Sequence, residues 1–101
     1  VAITVAAGQI GTYEQQLIAN TVLTVNFTDD LDNVEVITNG AAAVYFTVDG
    51  STPTIPSGAV GSSCYYLPAA AGSKEVHPPT AGGTTVKLIS SGTPTISIAR
   101  T

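Results

Sequence analysis

The sequence predicts an all-β domain, a two-sheet sandwich or jelly-roll-like fold of about eight short strands with no substantial helix. Three observations carry this. The apolar residues are mostly β-branched, 19 Val or Ile against 5 Leu with no Met or Trp, and Thr occurs 15 times; such side chains lose rotamer freedom in helices and pack well on pleated surfaces. Turn-forming residues recur every several positions, and the segments between them alternate apolar and polar with the period of half-buried strands. No window of 11 or more residues keeps a 3.6-residue period.

In chain order, strands are expected near 2–6, 15–19, 21–28, 34–38, 42–49, 63–67, 84–90 and 94–100. The third sets Leu23, Val25 and Phe27 on one face against Val22, Thr24 and Asn26, and the fifth opposes Val44, Phe46 and Val48 to Ala43, Tyr45 and Thr47. The last places Ile96 and Ile98 on one face. These residues are the candidate core. The breaks between strands fall at 29–33, Asn39-Gly40, Asp49-Gly50 with Pro53 and Pro56, Ser91-Gly92, and the stretch 69–83, which holds Pro78-Pro79 and Gly82-Gly83. Asn-Gly and Asp-Gly supply the positive φ that tight turns need. The stretch 69–83 reads as a long loop with one short strand around 75–77. Thr52-Pro-Thr-Ile55 recurs as Thr93-Pro-Thr-Ile96, two turn-to-strand transitions built from the same chemistry.

A length of 101 residues makes one domain, 1–101. Within it, residues 1–11 carry no charge and read either as an extended N-terminal arm or as a plain first strand. Only 10% of the chain is charged, and 3 basic against 7 acidic residues sum to −4. Lys74, Lys87 and Arg100 are scattered, which argues against a nucleic-acid partner, and no polybasic run is present for anionic lipid. The longest apolar run, 41–46, is far short of the roughly 20 residues that span a bilayer. The first residues lack the basic and apolar regions of a signal peptide. A lone Cys64 closes no intrachain disulfide, which fits assembly in a reducing cytoplasm.

Residues that could carry chemistry each have a simpler reading. A Ser-His-Asp hydrolase needs an imidazole held by packing, whereas His77 runs into Pro78-Pro79 and reads as an exposed loop residue. Cys64, before Tyr65-Tyr66-Leu67, reads as a small core residue rather than a nucleophile. Gly82-Gly83-Thr84 has no Lys and no following helix, so it is no phosphate loop. Asp29, Asp30, Asp32, Asn33 and Glu35 offer five oxygen donors in seven residues, yet lack the glycine and spacing of a calcium loop; the expected reading is a turn whose side chains bond their own backbone. Asp30 and Asp49 could supply paired carboxylates for glycoside hydrolysis, but nothing in the sequence places them together. Of the adjacent Tyr65 and Tyr66, at most one is expected in the core, the other facing solvent or a partner. No enzymatic activity, metal, cofactor or sugar requirement is expected.

The segments Asn33-Val-Glu-Val-Ile-Thr-Asn-Gly40, Ala41-Ala-Ala-Val-Tyr-Phe-Thr-Val-Asp-Gly-Ser-Thr-Pro-Thr54, Tyr66-Leu-Pro-Ala-Ala and Val86-Lys-Leu-Ile-Ser-Ser-Gly-Thr-Pro-Thr-Ile-Ser-Ile-Ala-Arg100 resemble small β-rich virion proteins of tailed bacteriophages. The resemblance spans roughly residues 20 to 101 and implies a head decoration, or capsid cement, protein. Its expected partner is a major capsid protein, its expected state a homo-oligomer with a trimer favoured, and its expected place the capsid exterior after synthesis in a host cytoplasm. The charge-free N-terminal segment would then supply partner contacts through Val1, Ile3, Val5 and Ile10. A shorter stretch, Tyr45-Phe-Thr-Val-Asp-Gly-Ser-Thr-Pro-Thr54, is similar to a segment of the small β-sandwich domains of chitobiase-type glycoside hydrolases and bacterial surface proteins. It implies an accessory module for carbohydrate or cell-surface binding, with Asp49-Gly50 making a bend and Pro53 fixing its exit.

Overall fold

The computed structural model describes residues 2–11, 14–55, 64–69, 72–78 and 83–100. Nine strands run through them: β1 (Ala2–Val5), β2 (Gln15–Gln16), β3 (Leu23–Phe27), β4 (Val34–Thr38), β5 (Val44–Thr47), β6 (Tyr65–Leu67), β7 (Ser73–Val76), β8 (Thr84–Ile89) and β9 (Thr95–Arg100). They form a five-stranded sheet, β1-β3-β8-β5-β6, and a four-stranded sheet, β2-β9-β4-β7. Every pairing is antiparallel except β1 with β3, which is parallel. The all-β, two-sheet expectation holds, with no helix among the described residues.

The core lies between the sheets and is built from the inward positions that the alternation predicts. Leu23, Val25 and Phe27 of β3 meet Val44 and Phe46 of β5 and Val86 and Leu88 of β8; the other sheet adds Val34, Val36, Ile96 and Ile98, all buried. Period-2 alternation places these side chains on one face of each sheet, and their burial is the main source of stability.

All successive strands but one pair lie in different sheets. Only β5 and β6 are consecutive neighbours within a sheet; each other connection crosses from one layer to the other. Asn39-Gly40 and Asp49-Gly50 bend the chain as expected, both glycines having φ of +85°, but the first joins sheets rather than closing a hairpin. The strand expected near 15–19 shortens to Gln15–Gln16, because Asn20 takes a positive φ of 59° and its N–H bonds the Ser90 carbonyl, which bends the chain toward the other sheet. The short strand expected around 75–77 forms slightly earlier, as β7.

The chain passes from β1 to β2 along the side of β9. Gly11 opposes Ala99 and Gln15 opposes Ile96, so both described ends of this segment lie against β9. A Cβ placed on Gly11 would lie 1.8 Å from the Ile98 carbonyl oxygen and 2.8 Å from the Ala99 Cα. Both are backbone atoms of an interior strand and cannot rotate aside. Gly11→Ala is therefore expected to destabilise the protein by about 2–3 kcal/mol, read as a lower urea midpoint at an unchanged slope.

Arg100 ties this crossing to the rest. Its backbone N–H bonds the Ile10 carbonyl, its Nε donates to the Gln9 carbonyl, and its guanidinium pairs with both oxygens of Asp29 at 2.5 and 3.1 Å while lying over the Phe27 ring. The acidic turn accordingly differs from expectation. Asp29 reaches Arg100 as well as its own backbone N–H, and Asp30 accepts the Gly83 N–H, so these carboxylates also bond across the fold.

The hydrogen bond from Arg100, and secondarily its charge, hold the Asp29 carboxyl below its ordinary value of 3.8 despite some opposing desolvation. A folded value below the unfolded one means that the pair contributes fully above about pH 4 and loses its contribution as pH falls through the lowered value. The melting-temperature gap between the native protein and Asp29→Asn should be constant from pH 5 to 7 and close below pH 4.

Candidate binding surfaces

The residues singled out for chemistry do not converge. His77 is exposed, with Nδ1 3.4 Å from the Asp32 carbonyl oxygen. Cys64 is half-buried, its thiol 3.7 Å from the Thr54 carbonyl oxygen, so the core position expected for it is corrected: it precedes β6, at the rim of the sheet. Asp30 is engaged by Gly83, whereas Asp49 accepts the N–H and hydroxyl of Ser51, which hold its carboxyl below the ordinary value. Among the described residues no three His, Cys, Asp or Glu side chains come together as metal ligands.

Of the four N-terminal residues expected at a partner surface, Val1 lies outside the described residues. Val5 is buried and Ile3 packs half-buried against the core, both on the inward face of β1. Ile10, 70% exposed, presents its side chain to solvent.

A tyrosine ledge forms where β5 pairs with the edge strand β6. Tyr45 stands opposite Tyr66 in register, so the two rings stack on the outer face with centroids 5.3 Å apart. Tyr65 points the other way, against Phe46 and beneath the Lys74 ammonium of β7, 5.9 Å from the ring centre. Because β6 has a neighbour on one side only, neither Tyr65 nor Tyr66 is enclosed. The expectation that at most one enters the core holds, with both exposed.

The second surface is the outer face of the four-stranded sheet. Here β9 presents small side chains, Thr95 and Ser97, between longer ones on either side: Ile37 of β4, 40% exposed, and Glu14 just before β2. Small residues flanked by large ones make a trough, of about 180 Å³. Glu14 has a positive φ of 51°, uncommon for a residue with a side chain, immediately before β2. The trough was not legible in the sequence, where Glu14 and Ile37 are 23 positions apart and belong to strands whose pairing could not be read.

No protein family and no curated protein sequence matches the chain significantly. A solved structure does: the periplasmic inhibitor of g-type lysozyme from Aeromonas hydrophila, PliG, is similar over 99% of this chain and 97% of its own, with a TM-score of 0.56 and 11% sequence identity. That protein is an inhibitor, not an enzyme. This finding corrects the phage-head reading, because the solved structure sharing the whole fold is a periplasmic inhibitor and not a virion component. The capsid partner, the trimer inferred with it and the virion location fall together. Their basis was a run of Val, Ile, Thr, Gly and Pro that any short-stranded sandwich requires of its strands and turns. At this identity the similarity establishes a shared architecture, a two-sheet β-sandwich built on the same plan as PliG.

Proposed function

We propose that the chain is a non-enzymatic, protein-binding β-sandwich and that its partner is a lysozyme of the g type. The observation that carries this reading is similarity over nearly the full length of both chains to a protein that inhibits that enzyme. Inhibition by a rigid sandwich requires no chemistry of its own. Covering about 800 Å² on each partner beside a substrate cleft excludes the substrate. Two features of this chain suit such a role: exposed Tyr65 and Tyr66, of the residue type enriched in protein interfaces, and a net charge of −4, which favours encounter with a basic surface. Ile10 is a proposed further contact.

The test is a cell-wall clearing assay with g-type lysozyme and increasing amounts of the purified protein. Loss of activity that saturates near equimolar protein, with co-elution on gel filtration, is the expected result. Unchanged activity at tenfold excess together with separate elution overturns the reading.

A further inference from the structure

We propose that the trough on the outer face of the four-stranded sheet receives one arginine side chain of a protein partner. This deepens the reading above, and rests on it only in taking that partner to be g-type lysozyme.

Size comes first. A volume of about 180 Å³ is below the roughly 300–1,000 Å³ of sites for small organic ligands, yet ample for one long side chain. Chemistry then narrows the occupant. One wall is the apolar Ile37 and the other is formed by the acidic Glu14, with the hydroxyl-bearing Thr95 and Ser97 between them. An amphipathic cation matches that order, its methylene stem lying on Ile37 and its charged head reaching Glu14. Arginine fits better than lysine, since its planar fork meets a carboxylate with two parallel hydrogen bonds and is more weakly hydrated. The charge around the trough agrees. Glu35 lies two residues from Ile37 on the same face and stands in register with Glu75, whereas Lys74 points inward over Tyr65 and Arg100 is committed to Asp29. The described outer face of this sheet is thus acidic, and Lys87 belongs to the other sheet.

Two measurements test the proposal. First, affinity for g-type lysozyme is compared by calorimetry for the native protein, Glu14→Gln, Ile37→Ser and a control on the outer side of the other sheet, Lys87→Gln. Glu14→Gln and Ile37→Ser should each weaken binding about tenfold, with unchanged melting temperatures showing that both remain folded. If lysozyme binds the native protein and both variants equally, the trough proposal is overturned and the lysozyme reading stands. Second, backbone amide shifts are followed by NMR during titration with N-acetyl-arginine amide, with N-acetyl-citrulline amide as the uncharged isostere. This arm decides the proposal even if no lysozyme binds. Shifts centred on Glu14, Ile37 and Ser97 for the arginine compound alone support it. Shifts elsewhere, equal shifts with citrulline, or none at 50-fold excess overturn it.

Discussion

Phe46→Ala is expected to lower the stability of the protein by about 3–5 kcal/mol, the range for emptying an aromatic site in a packed core. Phe46 is fully buried in β5, paired with Leu88 of β8 on one side and Tyr65 of β6 on the other. Its ring also meets the Tyr65 ring at 5.5 Å. The sheets here are held by β-branched and Leu side chains of fixed shape, and few neighbours can collapse into the space left. The variant therefore loses both the transfer energy of the ring and the contacts of its surroundings. Urea unfolding should show the midpoint falling at a constant slope, with Phe46→Leu costing less than about 1.5 kcal/mol. A loss under 1 kcal/mol for Phe46→Ala would mean that this part of the sandwich is not packed as described. Because Tyr65 rests on Phe46, the tyrosine ledge should loosen with it, visible as a change in tyrosine fluorescence before global unfolding.

Deleting residues 1–8 should be of comparable severity. Four residues of β1 pair with β3, and Val5 and Ile3 cover the core at that edge. Their burial is worth about 3–5 kcal/mol at the usual yield per apolar side chain, a large share of a typical total of 5–15 kcal/mol. Removal also uncovers the full edge of β3, whose Val25 and Phe27 are otherwise enclosed, and an open flat edge promotes association between chains. The truncated protein should melt far lower and aggregate on warming. An N-terminal arm that only reaches for a partner predicts the opposite: an unchanged β circular-dichroism spectrum and melting temperature, with weaker partner binding.

The parts of the fold visible in the sequence were those fixed by short-range rules. Alternation placed Leu23, Val25, Phe27, Val44, Phe46, Ile96 and Ile98 inside, and Asn39-Gly40 and Asp49-Gly50 marked bends that exist. Strand order was not visible, because an Asn-Gly bend suits a hairpin and a crossing between sheets alike, and the path of the chain beyond the bend depends on pairings with distant strands. The same gap hid the trough, which exists only because β9 lies between β2 and β4. Cys64 was misplaced for a related reason. Its residue type suggested a core position, but it precedes the edge strand β6, where the sheet encloses it only in part. The phage resemblance rested on residue types that strands and turns impose in general, so it carried the fold and not the partner.

The alternation of layers along the chain also governs how the protein folds. With β5–β6 the sole pairing between consecutive strands among the described residues, almost no sheet edge there can be completed by a neighbour in sequence. The centre of one sheet is β8 and the inner strands of the other include β9, both from the last fifth of the chain, so β3 and β4 wait for partners about 60 residues away. Loop closure must be met in entropy before such contacts return energy, which places folding in the slow range for domains of this size, milliseconds to seconds. During synthesis, residues 2–55 leave the ribosome as strands without their central partner. With only 10% of its residues charged, the nascent chain has little electrostatic protection against association, and yield in a cell should depend on temperature and chaperone supply more than the stability of the folded protein suggests.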